Sequence, residues 1–87
     1  MKYYTTILDS MSESVKKNGL KFDNGIWGEV YSTIKLARFC SHPADEVLLE
    51  LELEDDEAVS TPVEGVFFVE KDIPPSKIKI HRLRDFD

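Results

Sequence analysis

The clearest alternation of hydrophobic and polar residues in this chain lies between residues 46 and 54. Valine or leucine occupies every second position from 47 to 53, while Glu46, Glu50, Glu52 and Glu54 share the alternate positions with Leu48. Because successive residues of a strand point to opposite faces, this pattern predicts a half-buried strand. Its outer face is expected to be acidic.

Further extended segments are predicted from runs of β-branched, aromatic and other apolar residues. They span residues 2–6, 20–22, 27–31, 65–70 and 78–83. The near-continuous apolar run at 65–70 is typical of a strand that is buried on both faces. Residues 55–63 are polar and contain Pro62, so they predict a loop.

Two short helices are predicted between these strands. Residues 10–13 fit a capping box that starts the first helix, and Gly19 can adopt the left-handed conformation that ends it. Ser32 or Thr33 can cap the second helix, which is predicted to run to about Cys40. An Asp-Asn-Gly turn is predicted at 23–25, between the two helices.

The length of the chain limits it to one domain. A chain of 87 residues buries only about two-thirds of its unfolded surface and cannot divide its core. The order of elements predicts an α+β domain over residues 1–87, a small and mainly antiparallel sheet with two short helices. No apolar run approaches the roughly 18 residues of a membrane span. One cysteine and two histidines predict neither a disulfide nor a zinc site, so we expect a cytoplasmic protein.

Charge is distributed unevenly along the chain. The net charge is −6, and residues 41–64 contain nine carboxylates but no lysine or arginine. Such a surface repels nucleic-acid phosphates and attracts basic surfaces, so we expect a basic protein partner rather than direct nucleic-acid binding. The residues predicted for this contact are Glu50, Glu52, Glu54, Asp55, Asp56 and Glu57. Alternatively, Lys77, Lys79 and His81 on the last strand pair with the glutamates across the sheet.

Five short motifs follow one another along the chain in a characteristic order: Tyr3-Tyr4-Thr5-Thr6, Asn18-Gly19-Leu20, Val30-Tyr31-Ser32-Thr33, Ala37-Arg38-Phe39 and Ile73-Pro74-Pro75. In order and spacing they resemble a reduced domain of the ADP-ribosyltransferase and RNA 2′-phosphotransferase group. The likeness extends over most of the chain. It implies NAD as the cofactor and Tyr31 as the residue on which nicotinamide stacks.

The chain departs from this group at the positions that would carry the chemistry. Tyr4 stands where the first-strand histidine is expected, and the catalytic glutamate position falls near Val66, between Glu64 and Glu70. The leading hypothesis is therefore a cofactor-free, non-catalytic domain that binds a protein, of a kind common among phage and mobile-element inhibitors of host machinery. One alternative is a minimal NAD-dependent enzyme that uses Tyr4, Tyr31 and Glu64 or Glu70. Another is an antitoxin-like regulatory subunit.

Single residues allow two interpretations each. Tyr4 and Tyr31 either line a remnant nucleotide pocket or pack in the core of the sheet. Trp27 is expected as a lid over the core or as a contact hot spot. Cys40, at the end of an apolar helical face, is expected to be a small buried residue rather than a nucleophile.

Overall fold

The computed structural model describes residues 1–21 and 28–86. Its strands form one sheet and are β1 Lys2–Ile7, β2 Glu29–Tyr31, β3 Val47–Glu52, β4 Val59–Ser60, β5 Val66–Phe68 and β6 Ile78–Arg82. Its α-helices are α1 Ser12–Asn18 and α2 Ile34–Phe39, and its 3₁₀ turns are Asp9–Met11, Pro75–Lys77 and Leu83–Phe86. The predicted α+β class, a small antiparallel sheet with two short helices, is confirmed.

The sheet has the strand order β4-β5-β2-β1-β3-β6, and all neighbouring strands are antiparallel. β1 lies near the middle and pairs with β3 over its full length, from Lys2 opposite Glu52 to Ile7 opposite Val47. The two helices contribute to two separate apolar clusters, with Val15 of α1 in one and Ala37 of α2 in the other. Since these clusters use alternate residues of β3, the sheet has a covered patch on each face.

The first apolar cluster confirms the predicted alternation in β3. The alternate residues Val47, Leu49, Leu51 and Leu53 are at most 2% exposed. Val15 of α1 packs in the same cluster, together with residues of β1 and β2 and with Ile73. The sequence pattern therefore identified this face of the strand correctly.

The second apolar cluster covers part of the outer face of β3, which was predicted to be acidic. Leu48 lies on that face and is fully buried, in a cluster with Tyr31, Ala37 and Val66. The cluster forms because α2 and the 3₁₀ turn Leu83–Phe86 pack over this part of the sheet. Burial on both faces was also predicted for the whole 65–70 run, which is wrong at Phe68, because that side chain is 38% exposed.

The helix ends agree with the sequence predictions at two of three positions. Gly19 has φ of +79° and donates its backbone N–H to the Val15 carbonyl at 2.8 Å, as expected of a helix stop. The Thr33 hydroxyl accepts a hydrogen bond from the Leu36 N–H at 3.1 Å and caps α2. The capping box at 10–13 is wrong, because the turn Asp9–Met11 is 3₁₀ and α1 starts only at Ser12, without a side-chain cap.

Two further differences concern the connections. The predicted loop at 55–63 contains the short strand β4, which pairs with β5. The predicted Asp-Asn-Gly turn and Trp27 lie outside the described residues; Leu20, just before them, forms an isolated bridge with Ile73. Within the described ranges, no helix has the length and apolar character needed to cross a membrane.

Candidate functional site

The connection between β3 and β4 is a tight turn at residues 54–57, which we call the acidic turn. The Glu57 N–H donates to the Glu54 carbonyl at 3.0 Å, and the Glu54 N–H donates to Oε1 of Glu57 at 3.0 Å. Lys77, in the turn before β6, donates to the same Oε1 at 3.1 Å. One carboxylate therefore joins both ends of the turn to a neighbouring segment.

The electrostatics of Glu57 agree with this structural role. The backbone N–H of Glu54 is the main group that holds the pKa of Glu57 below its ordinary value, and Lys77 lowers it further. Both groups stabilise the ionised carboxylate. The contact with Lys77 supplies Glu57 with a cation from within the chain.

The glutamates of β3 are also paired within the chain. Glu50 is half-buried and lies between Lys2 and His81: Lys2 Nζ is 3.6 Å from its Oε2, and His81 Nε2 is 3.6 Å from its Oε1. Lys79 stands opposite Glu50 in the register with β6. Glu52 is exposed, and its Oε1 is 3.4 Å from the N-terminal amine. Glu50 therefore faces β6 as the alternative of cross-strand pairing requires, but the lysine that pairs with it is Lys2 of β1.

The remaining predicted contact residues are Glu54, Asp55 and Asp56. All three are exposed, and none has an ion pair within the part of the chain that the structure describes. They follow one another at the tip of the acidic turn, whose backbone is held by Glu57. The structure thus divides the six predicted contact residues into three that are paired with cations and three that are not.

The residues of the enzyme alternative are spread over the sheet. Tyr4 and Tyr31 stand opposite each other on β1 and β2, on the face covered by α2. Val66 pairs with Tyr31 from the other side and is 9% exposed, so an apolar side chain occupies the position expected for the catalytic glutamate. Glu64 lies before β5 and Glu70 lies after it, both exposed.

A depression of about 550 Å³ beside Tyr31 brings together polar groups from β1, β2 and the segment after α2. Burial, followed by a hydrogen bond to the carboxylate of Glu29, raises the pKa of the Tyr31 phenol well above its ordinary value. Glu29 was not singled out in the sequence, although its alternation with Tyr31 on one strand places both on one face. Cys40 also lines the depression and is exposed, so its predicted burial is wrong: α2 ends one residue earlier.

The other polar residues of this depression stabilise the loop that follows α2. Asp45 accepts hydrogen bonds from the Thr6 hydroxyl at 2.8 Å and from the His42 N–H at 3.2 Å. Nδ1 of His42 accepts from the Ala44 N–H at 3.1 Å. These groups already have partners within the fold, as expected of residues that position a loop.

No group of three or more histidine, cysteine, aspartate or glutamate side chains is arranged to hold a metal ion in residues 1–21 and 28–86. The chain matches no protein-family model and no curated protein, and its fold matches no solved structure. A proposal for its function must therefore be based on its own residues and their geometry.

Proposed function

We propose that this chain is a small acidic domain that acts by binding the basic surface of a protein partner through the acidic turn. The observation that carries the proposal is the contrast between neighbouring carboxylates. Glu50, Glu52 and Glu57 have cations within the chain, whereas Glu54, Asp55 and Asp56 have none among the described residues. A lysine- or arginine-rich surface would supply the missing positive charge.

The hydrogen bonds that hold the turn support the same proposal. Like charges that follow one another repel, so a turn with three consecutive exposed carboxylates is unfavourable unless other contacts hold it. Here the Glu57 carboxylate holds the backbone through Glu54 and Lys77. A recognition loop that is already ordered loses less conformational entropy on binding, which favours affinity.

The non-catalytic part of the proposal is supported by Val66. An apolar, buried side chain pairs with Tyr31 at the position where the likeness to ADP-ribosyltransferases requires a carboxylate. We interpret the scaffold as a degenerate relative of that group. Action in the cytoplasm and inhibition of host machinery belong to the same proposal and are based on the sequence alone.

The proposal can be tested with a triple variant, Glu54→Gln, Asp55→Asn and Asp56→Asn. The immobilised wild-type domain and the variant are used to capture the partner from the native cell at low ionic strength. We expect recovery of the partner to fall about tenfold or more in the variant, the lower end of the range for electrostatic steering. The wild-type complex should dissociate as salt is added, because exposed charges are screened.

The matched control removes three other exposed carboxylates, with Glu13→Gln, Glu46→Gln and Glu70→Gln. Both variants change the formal net charge from −6 to −3, so they differ only in where the charge is lost. Equal loss of binding in both variants would show that net charge matters and the acidic turn does not. Calorimetry with NAD examines the enzyme alternative: saturable binding that is lost in Tyr31→Ala would replace the present proposal.

A further inference from the structure

The outer face of α2 carries an aromatic side chain that the fold leaves uncovered. Phe39, the last residue of the helix, is 86% exposed, the largest fraction among the large hydrophobic residues of the described chain. Ala37, on the opposite side of the helix, is fully buried against the sheet. Phe39 therefore contributes little to the monomer core. Exposed apolar residues mark a contact surface where they belong to a contiguous patch rather than stand singly.

Phe39 forms part of the wall of a depression of about 1060 Å³, which we call the α2 depression. Its other apolar walls are Ile34, Leu36, Leu83 and Phe86, all of them half-buried. Gly65 also lines it, and a side chain there would meet Leu36 Cδ2 at 2.8 Å and Ser32 Oγ at 3.2 Å. A projecting aromatic ring and an apolar hollow thus lie on the same patch of surface. A two-fold symmetric interface uses the same patch on both copies, so each copy would offer its ring to the hollow of the other.

The charged residues at the α2 depression also favour a second copy of this chain as its occupant. Lys35, Arg38 and Glu64 line the depression. Nη1 of Arg38 donates to the Phe86 carbonyl at 2.9 Å, whereas neither Lys35 nor Glu64 has an ion pair within the described residues. They carry opposite charges but are not paired with each other. In a two-fold arrangement, Lys35 of one copy can meet Glu64 of the other, and the symmetry forms this pair twice.

We propose that the α2 face is the interface of a symmetric dimer, in which Phe39 of each copy enters the α2 depression of the other. Lys35 and Glu64 pair across the interface. A standard-size interface buries about 800 Å² per partner, roughly one seventh of the 5819 Å² surface of this chain. The contact must therefore extend beyond Phe39 to other residues that line the depression, such as Gly65 and Phe86.

The proposal is tested by sedimentation velocity over a concentration series from about 1 μM to about 1 mM, which covers weak to moderate association. A reducing agent is included, because the exposed Cys40 thiol could otherwise join two chains. We expect the wild-type chain to shift from a 10.0 kDa monomer to a species of twice that mass. A wild-type chain that stays monomeric throughout overturns the proposal and leaves this face to a different partner.

Two sets of variants examine the interface. Phe39→Ser should weaken dimerisation at least tenfold, whereas Ile80→Ser, at a 37% exposed position of β6, should leave it unchanged. Lys35→Glu and Glu64→Lys should each weaken the dimer, and the double variant should restore it because the charges are again opposite. An unchanged dimer in Phe39→Ser, or a double variant no better than the single ones, overturns the proposal. The charge-exchange series decides the question if Phe39→Ser does not fold.

Discussion

The substitution Leu48→Ala tests whether the sheet is covered on both faces. Leu48 is fully buried beneath α2, in the cluster with Tyr31, Ala37 and Val66. The alternation along the sequence instead groups this residue with the glutamates on the outer face. The two descriptions differ in the free energy of unfolding that they predict for the variant.

The magnitude follows from the packing around Leu48. Truncation of a buried leucine to alanine costs about 2–5 kcal/mol, depending on how far the surroundings can close the cavity. Ala37 is already small, and Val66 is held by its pairing with β2, so closure is limited. We expect a loss of about 3 kcal/mol, a large part of the roughly 4–13 kcal/mol typical of a domain of this size. The Tm should fall by about 12–24 °C.

Urea and thermal unfolding followed by circular dichroism measure this loss. Ile80→Ala, on the edge strand β6 with the side chain 37% exposed, is the matched control and should cost about 1 kcal/mol or less. If Leu48→Ala were no more destabilising than Ile80→Ala, α2 would not cover this face in solution, and the second apolar cluster would be refuted.

Two other predictions concern stability. Gly19→Ala and Gly65→Ala both place a side chain at positive φ. A Cβ at Gly19 would lie 2.1 Å from the backbone oxygen of Ile73, which cannot move easily. At Gly65 the nearest atom is Cδ2 of Leu36, the end of a flexible side chain. Urea unfolding should therefore rank Gly19→Ala as more destabilising, by about 1 kcal/mol or more, and the reverse order would contradict the backbone geometry. Because Glu54 and Lys77 lower the pKa of Glu57, its stabilising effect is complete above the unfolded pKa of about 4.3 and is lost as pH falls through the lower folded value. The stability difference between the wild type and Glu57→Gln should thus be largest near pH 7 and shrink below pH 4, and a difference independent of pH would exclude this linkage.

Part of the candidate site could be predicted from the sequence. The absence of lysine and arginine between residues 41 and 64 identified an acidic region. Only the structure shows that its residues without a cation among the described residues include Glu54, Asp55 and Asp56 but not Glu57. The pairing of Glu50 with Lys2 and of Glu57 with Lys77 was not predicted. These partners are separated by 48 and 20 positions in the sequence, and only the arrangement of strands brings them together.

The sequence alone determined the elements whose signals are local. Alternation identified the buried face of β3, glycine with positive φ ended α1, and a threonine hydroxyl capped α2, because each effect acts between residues close in the chain. Tertiary structure decided which surfaces became covered. Leu48 is buried and Phe39 is exposed because α2 packs on the second face of the sheet with only one side. Burial of this kind depends on contacts between segments distant in sequence, which no local pattern specifies.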